Sequence, residues 1–210
     1  GDTRLAVLSG PSHAEEVARR IPTTVVASSE EKKTAGQVQE IFMTDRFRVY
    51  TNTDVLGVEL AGALKNVIAV AAGMSDGLGF GSNTKAALVT RGLAEITRLG
   101  VAMGAKPMTF SGLAGLGDLV TTCISDYGRN RRLGLMVARG VPVDGAVAGT
   151  PMVAEGYYTA RAAHVLAEKH GIEMPITENV YGVLYEGKEP FLAVKELMER
   201  RPRSEVEHDG

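Results

Sequence analysis

The stretch Leu60-Ala61-Gly62-Ala63-Leu64-Lys65-Asn66-Val67-Ile68-Ala69-Val70-Ala71-Ala72-Gly73 decides how the rest of the chain is read. It is apolar except at Lys65 and Asn66, and no other charge falls between Glu59 and Asp76. Such a setting is costly for an ammonium unless it is paired, and it suits a lysine to proton transfer. The alternative is a lysine whose stem packs on apolar neighbours while its head reaches water. Residues elsewhere in the chain choose between the two.

At 210 residues the chain is one large domain or two small ones, long enough to bury a core. A net charge of -2, with no basic stripe interleaved with aromatics, argues against nucleic acid as a partner. Trp is absent and Gly and Ala abound, which predicts closely packed helices with small contact residues and fits a homodimer. The single cysteine, Cys123, excludes an internal disulfide and fits a reducing, cytoplasmic compartment. The run at 60–73 is too short to span a bilayer and carries Lys65 near its centre, so no membrane span is expected. The chain opens Gly1-Asp2-Thr3-Arg4, without an initiator Met, and enters an apolar segment at once, a first sign of a longer parent chain.

Outward from the run, the N-terminal side alternates. Residues 4–9 read as a short buried strand ending at Gly10-Pro11-Ser12, with Ser12 as the cap of a helix over 13–20. That turn either faces a ligand with its Gly backbone and Ser hydroxyl or is a capped turn and nothing more. The β-branched residues 23–28 predict a second strand, 29–42 a helix, and 47–51 a third strand. Three strands leave an exposed edge, as expected of the end of a larger α/β sheet.

After Asn52 the pattern is helical, with Thr53 or Asp54 capping the helix that carries Lys65. Ser82 or Asn83 caps the next, running to about Leu99, with Ala86, Ala87, Val89, Leu93, Ala94 and Ile96 as its apolar face. Gly77, Gly79 and Gly81 have the wrong spacing for a dinucleotide fingerprint, and no strand precedes them. Asp118 and Thr122, four apart, share a helix face in apolar company. A carboxylate there needs a cation such as Lys65, unless it is only a helix cap. Asp126 is the expected cap of a helix opening Tyr127-Gly128-Arg129-Asn130-Arg131-Arg132. Cations at a helix N-terminus oppose the dipole and suggest an anionic ligand, which an arginine fork grips with two bonds. A solvated basic face at Arg131 and Arg132 is the alternative. Helices run from about 155 to His170, over 175–186 and over 190–200, and 201–210 is expected to be disordered. The four histidines lack metal-site spacing, and no metal is expected.

Four stretches in order resemble the bacterial NAD(P)-dependent glycerol-3-phosphate dehydrogenase family: Gly10-Pro11-Ser12-His13-Ala14-Glu15, the Lys65-Asn66 run with the Gly77–Thr84 link, Gly115-Leu116-Gly117-Asp118-Leu119, and Gly128-Arg129-Asn130-Arg131. The resemblance spans nearly all of residues 5–200. It implies the last strands and helices of a Rossmann-type sheet over residues 1–52. An all-α substrate-binding domain of the 6-phosphogluconate-dehydrogenase C-terminal type would occupy 53–200. By the same resemblance Lys65 matches the catalytic proton donor and acceptor, and Asp118 is placed to hold its ammonium. Gly10, Ser12, Asn66, Thr122, Gly128, Arg129 and Asn130 match substrate contacts. Ala14, Arg129, Val153 and Glu155 match contacts to NAD or NADP.

The implied reaction interconverts glycerol 3-phosphate and dihydroxyacetone phosphate, supplying glycerophospholipid precursor. His13 stands where Phe is common, and Gly128 where Ser is frequent. The family's glycine-rich fingerprint segment is not in this sequence, so these 210 residues alone are expected to be inactive. Two other readings remain open at this point: a related 3-hydroxy-acid dehydrogenase of the same architecture, and a helical oligomerisation module without catalysis.

Overall fold

The computed structural model describes residues 4–149, 153–202, 204 and 205. Among these, β1 (Val7–Ser9), β2 (Thr23–Ser28) and β3 (Phe47–Asn52) form a sheet in that order. The β-branched, almost wholly buried β2 is the central strand, as a strand covered on both faces must be. It runs parallel to β3, from Thr23↔Phe47 to Ser28↔Asn52, and antiparallel to β1, with Val7 opposite Ser28. The sheet is therefore mixed.

Helix α1 (Ala14–Ala18) links β1 to β2, and α2 (Lys32–Phe42) makes the crossover between the parallel strands. Ser12 is not the cap expected of it. Helix α1 begins after His13, and the Ser12 hydroxyl donates to the Gly10 carbonyl at 3.1 Å.

Helix α3 (Val55–Gly77) is the axis of the helical part of the chain. Asp54 caps it, accepting from the Gly57 N–H at 3.0 Å, and its other oxygen takes the Lys106 N–H and the Thr109 hydroxyl. Burial works against that carboxylate, but the bonds from Thr109, Lys106 and Gly57 hold it below the usual carboxylate range. At 23 residues, α3 is longer than the run at 60–73 and is long and apolar enough to cross a membrane. The helix extends past that run at both ends, and length and composition alone do not separate a span from a core helix. Its apolar residues instead form the centre of the helical core.

Around it pack α4 (Ser82–Ala102), α5 (Pro107–Phe110), a π-helical turn (Leu113–Gly117), α6 (Asp118–Ile124), α7 (Arg129–Ala138), α8 (Val143–Ala148), α9 (Glu155–His170), α10 (Pro175–Tyr185) and α11 (Pro190–Met198). Helices α3 and α7 touch backbone to backbone. A Cβ on Gly134 would lie 2.0 Å from the Val70 carbonyl oxygen, and one on Gly73 would lie 1.9 Å from that of Arg131. This approach, open only to glycine, brings Lys65 and Asn66 beside the start of α7.

Several local expectations are corrected. Neither Ser82 nor Asn83 caps α4, which starts after Gly81 and runs to Ala102. Its buried side is Gly92, Glu95, Ile96, Leu99 and Gly100, while Ala86 and Ala87 are exposed. The close contact of Gly92 with Ile68 of α3 sets that rotation. Asp126 does not cap α7, which opens after Gly128. Instead it accepts from Arg131 at 2.7 Å, and Arg131 also grips Asp76 at 2.6 Å, so it is an interior cation. The last helix stops at Met198, short of the expected end. In the tail, residues 201, 202, 204 and 205 are described, and Arg91 of α4 donates to the Glu205 carbonyl at 3.3 Å. Residues 203 and 206–210 lie outside the described residues.

Candidate active site

A cavity of about 620 Å³ opens where the turn after β1 meets α3, α6, α7 and the first residues of α9. The turn makes its rim because Gly10 sits at φ +140, where a side chain is strained and a Cβ would meet the Val25 Cα at 3.0 Å. Gly10, Ser12, Ala14, Lys65, Asn66, Asp118, Thr122, Gly128, Arg129, Asn130 and Glu155 all line it. Val153 does not. It is 61% exposed, on the link before α9, next to residues 150–152 outside the described set.

At the floor, the Lys65 ammonium is paired with a carboxylate oxygen of Asp118. Both side chains are largely buried, 17% and 7% exposed, so the pairing that the apolar run demands is present. Asp118 is the first residue of α6, and Thr122, one turn on, donates to its carbonyl at 2.7 Å. The Thr122 hydroxyl also lies 3.3 Å from the Asp118 carboxylate. Burial pushes the Asp118 carboxyl up from its ordinary value, opposed by Lys65 and by the Thr122 hydroxyl.

Arg129 opens α7 and meets Glu155, the first residue of α9, at 3.1 Å. Its partly exposed guanidinium lies where the α7 dipole adds to its positive charge. Deeper in, Asn130 joins three elements. It donates to the Asn66 side-chain oxygen at 2.9 Å and accepts from the Gly156 N–H at 2.8 Å.

The cavity also takes residues that sequence reasoning did not place in the site. His13 lines it with a buried Nε2 that has no hydrogen-bond partner, and its ring centre lies 6.0 Å from that of Tyr127. Tyr127 is held from outside by Arg19, at 2.9 Å. Glu15, Gly62, Asp126 and Arg132 complete the wall. Their adjacency to Ala14 and to Gly128-Arg129 was the signal for most of them. No group of three or more metal-ligating side chains occurs among the described residues.

Chemically, the floor offers a proton on a positioned amine and a carboxylate to hold that amine. The rim offers a guanidinium for an anion. An oxygen that gains or loses negative charge above Lys65 would be stabilised there.

The sequence pattern of the NAD-dependent glycerol-3-phosphate dehydrogenase C-terminus matches residues 54–195, and that of the N-terminus matches residues 1–35. A glycerol-3-phosphate dehydrogenase [NAD(P)+] of Pelotomaculum thermopropionicum is 58% identical over 204 residues, covering 97% of this chain and 58% of its own length. One from Moorella thermoacetica is 57% identical over 207 residues, covering 99% and 62%. Among solved structures, the glycerol-3-phosphate dehydrogenase of Coxiella burnetii superposes with a TM-score of 0.92 at 48% identity, over 95% of this chain and 62% of its own. The enzyme from Saccharomyces cerevisiae superposes with a TM-score of 0.81 at 28% identity, over 92% and 59%. This chain thus spans about three-fifths of the relatives it matches.

Proposed function

This chain belongs to the NAD-dependent glycerol-3-phosphate dehydrogenase family, and we propose that its cavity is the substrate side of that dehydrogenase's active site. The observation that carries the reading is the convergence of Lys65, Asp118 and Arg129, far apart in sequence, on one cavity. The substrate pair is glycerol 3-phosphate and dihydroxyacetone phosphate, the exchange a glycerophospholipid pathway draws on.

In the reductive direction Lys65 gives its proton to the oxygen on C2, and in the oxidative direction it takes that proton back. No free alkoxide need form. Asp118 holds the ammonium in place and balances its charge while it is protonated. The neighbouring donors at Asn66 and Arg129 suit the substrate's oxygens and phosphate. The rim fits a nicotinamide dinucleotide: the guanidinium of Arg129, 37% exposed, suits its phosphates, and the exposed, small Ala14 leaves room beside it. When bound, that cofactor supplies the hydride exchanged with C2. Glu155 steadies Arg129 for the contact.

The division at residue 52, between β3 and the Asp54 cap, belongs to the same reading, as do a homodimer and a cytoplasmic location. The test is NAD(P)H oxidation by the whole protein with dihydroxyacetone phosphate, beside the oxidised forms of 3-hydroxy acids. Preference for the phosphate is expected, as is a fall in kcat on the order of 10²–10⁴-fold in Lys65→Ala. A preference for the acids, or an unchanged Lys65→Ala rate, would overturn the assignment.

A further inference from the structure

Arg131 stands two residues past Arg129 on α7, yet it is not part of the cavity wall. Its guanidinium, 18% exposed, joins two other elements instead. From Nε it donates to Asp76, in the last turn of α3, at 2.6 Å. From Nη1 it donates to the Ser125 carbonyl at 3.3 Å and to the Asp126 carboxylate at 2.7 Å. Lys85 of α4 meets the Asp76 carboxylate at 2.8 Å, so the α3 end of this link is itself held.

The other end belongs to the turn Ser125-Asp126-Tyr127-Gly128. The Gly128 N–H closes that turn on the Ser125 carbonyl at 3.3 Å, the same oxygen that Arg131 meets, and the Tyr127 N–H donates to the Ser125 hydroxyl at 3.1 Å. Asp126, Tyr127, Gly128 and the following Arg129 are all cavity wall. The turn has no slack behind it, since a Cβ on Gly128 would lie 3.0 Å from the Thr122 carbonyl oxygen and 3.2 Å from that of Ser125. The Asp126 carboxylate is 96% exposed, so its bond is screened by water, whereas Asp76 is 14% exposed and grips firmly. Asp76 lies on the helix that carries Lys65, three turns on, or about 16 Å along the axis.

We propose that Arg131 is a positioning residue: it fixes the turn at 125–128, and with it the start of α7, to the helix that carries Lys65. One guanidinium fork thereby sets the distance between the amine that handles the proton and the wall that holds the substrate's far end. The proposal rests on the assignment of this cavity as the substrate site. Lysine cannot replace arginine here, because a single ammonium meets either Asp76 or the turn, while the planar fork spans both.

The variant Arg131→Lys keeps a cation beside Asp76 and cuts the link. In the whole protein, KM for dihydroxyacetone phosphate is expected to rise on the order of 10-fold. The Lys65–Asp118 pair is left intact, so kcat is expected to stay within about twofold. A residue that only stabilises the fold would lower the thermal midpoint and leave KM unchanged. That result would overturn the proposal, and so would a fall in kcat with KM unmoved.

Hydrogen exchange on the ligand-free parent tests the same link without any variant. The Gly128 N–H is expected to exchange at least about 10-fold more slowly than in an unstructured chain, because the turn is already built. Exchange at the unstructured rate would show a turn that nothing holds, and the proposal would be wrong. A parent protein inactive on dihydroxyacetone phosphate would instead count against the function proposed above.

Discussion

Two buried carboxylic acids on two helices show how differently one physical cost can be used. Asp118 opens α6 and lies against the Lys65 ammonium at the cavity floor. Glu95 is 2% exposed in the middle of α4. It accepts from the backbone N–H groups of Ile176 at 2.6 Å and Thr177 at 3.2 Å, and from the Thr177 hydroxyl at 3.3 Å. Those are orphan donors of the first turn of α10, which opens with Pro175 and has no cap of its own. Glu95 therefore caps a helix distant in sequence. Burial raises both acids, and pushes Glu95 up to about 7. One is balanced by a paired cation that can do chemistry, the other chiefly by neutral donors that hold structure, with the charge of Arg98 as a lesser help. The lesson is that burial alone does not mark a functional acid; its partner does.

The comparison breaks most sharply by removing each acid in turn. Asp118→Asn should lower kcat on the order of 10²-fold or more in the whole protein, with a small change in thermal midpoint. Glu95→Ala should leave kcat within about twofold, yet cost about 2–3 kcal/mol of stability by stripping the α10 cap. Urea unfolding and steady-state kinetics on both variants check this. A Glu95→Ala protein that is stable but slow would erase the distinction.

A finer test uses pH. The Glu95 carboxyl goes from an ordinary 4.5 to about 7 on folding. Between those values the folded chain holds the proton that the unfolded chain has lost. This contribution to stability therefore falls as pH rises through that window and is level above it. The fall is at most about 3 kcal/mol. The difference in unfolding free energy between parent and Glu95→Gln should carry that slope, and a difference flat from pH 4.5 to 7 would contradict the assignment.

Legibility in the sequence divides along the same line. Lys65, Asp118 and Arg129 were legible because each violates a local rule: a charge inside an apolar run, an acid among apolar residues, a cation at a helix N-terminus. Glu95 violates none. It stands between Arg91 and Arg98 on a helix with ordinary charged positions, and only the arrival of α10 buries it. Choosing Ala86 and Ala87 for the inner face of α4 failed for the same reason, since composition favoured alanines over the buried Gly92 and Glu95, while Ile96 lies on the inner face as expected. Arg131 left two readings open locally, and its partner Asp76 lies on another helix. The mixed sheet, the π-helical turn before Asp118 and the short helix α8 likewise depend on neighbours that local periodicity does not report.

The central claim, that the Lys65 amine itself carries the proton at C2, is tested most directly by chemical rescue. Lys65→Ala of the whole protein is assayed with dihydroxyacetone phosphate and NAD(P)H while small primary amines are added. A rate that rises with amine concentration, and varies with the basicity of the amine, is predicted. A variant that is folded and binds substrate, yet gains nothing from any amine that fits the vacated space, would contradict it.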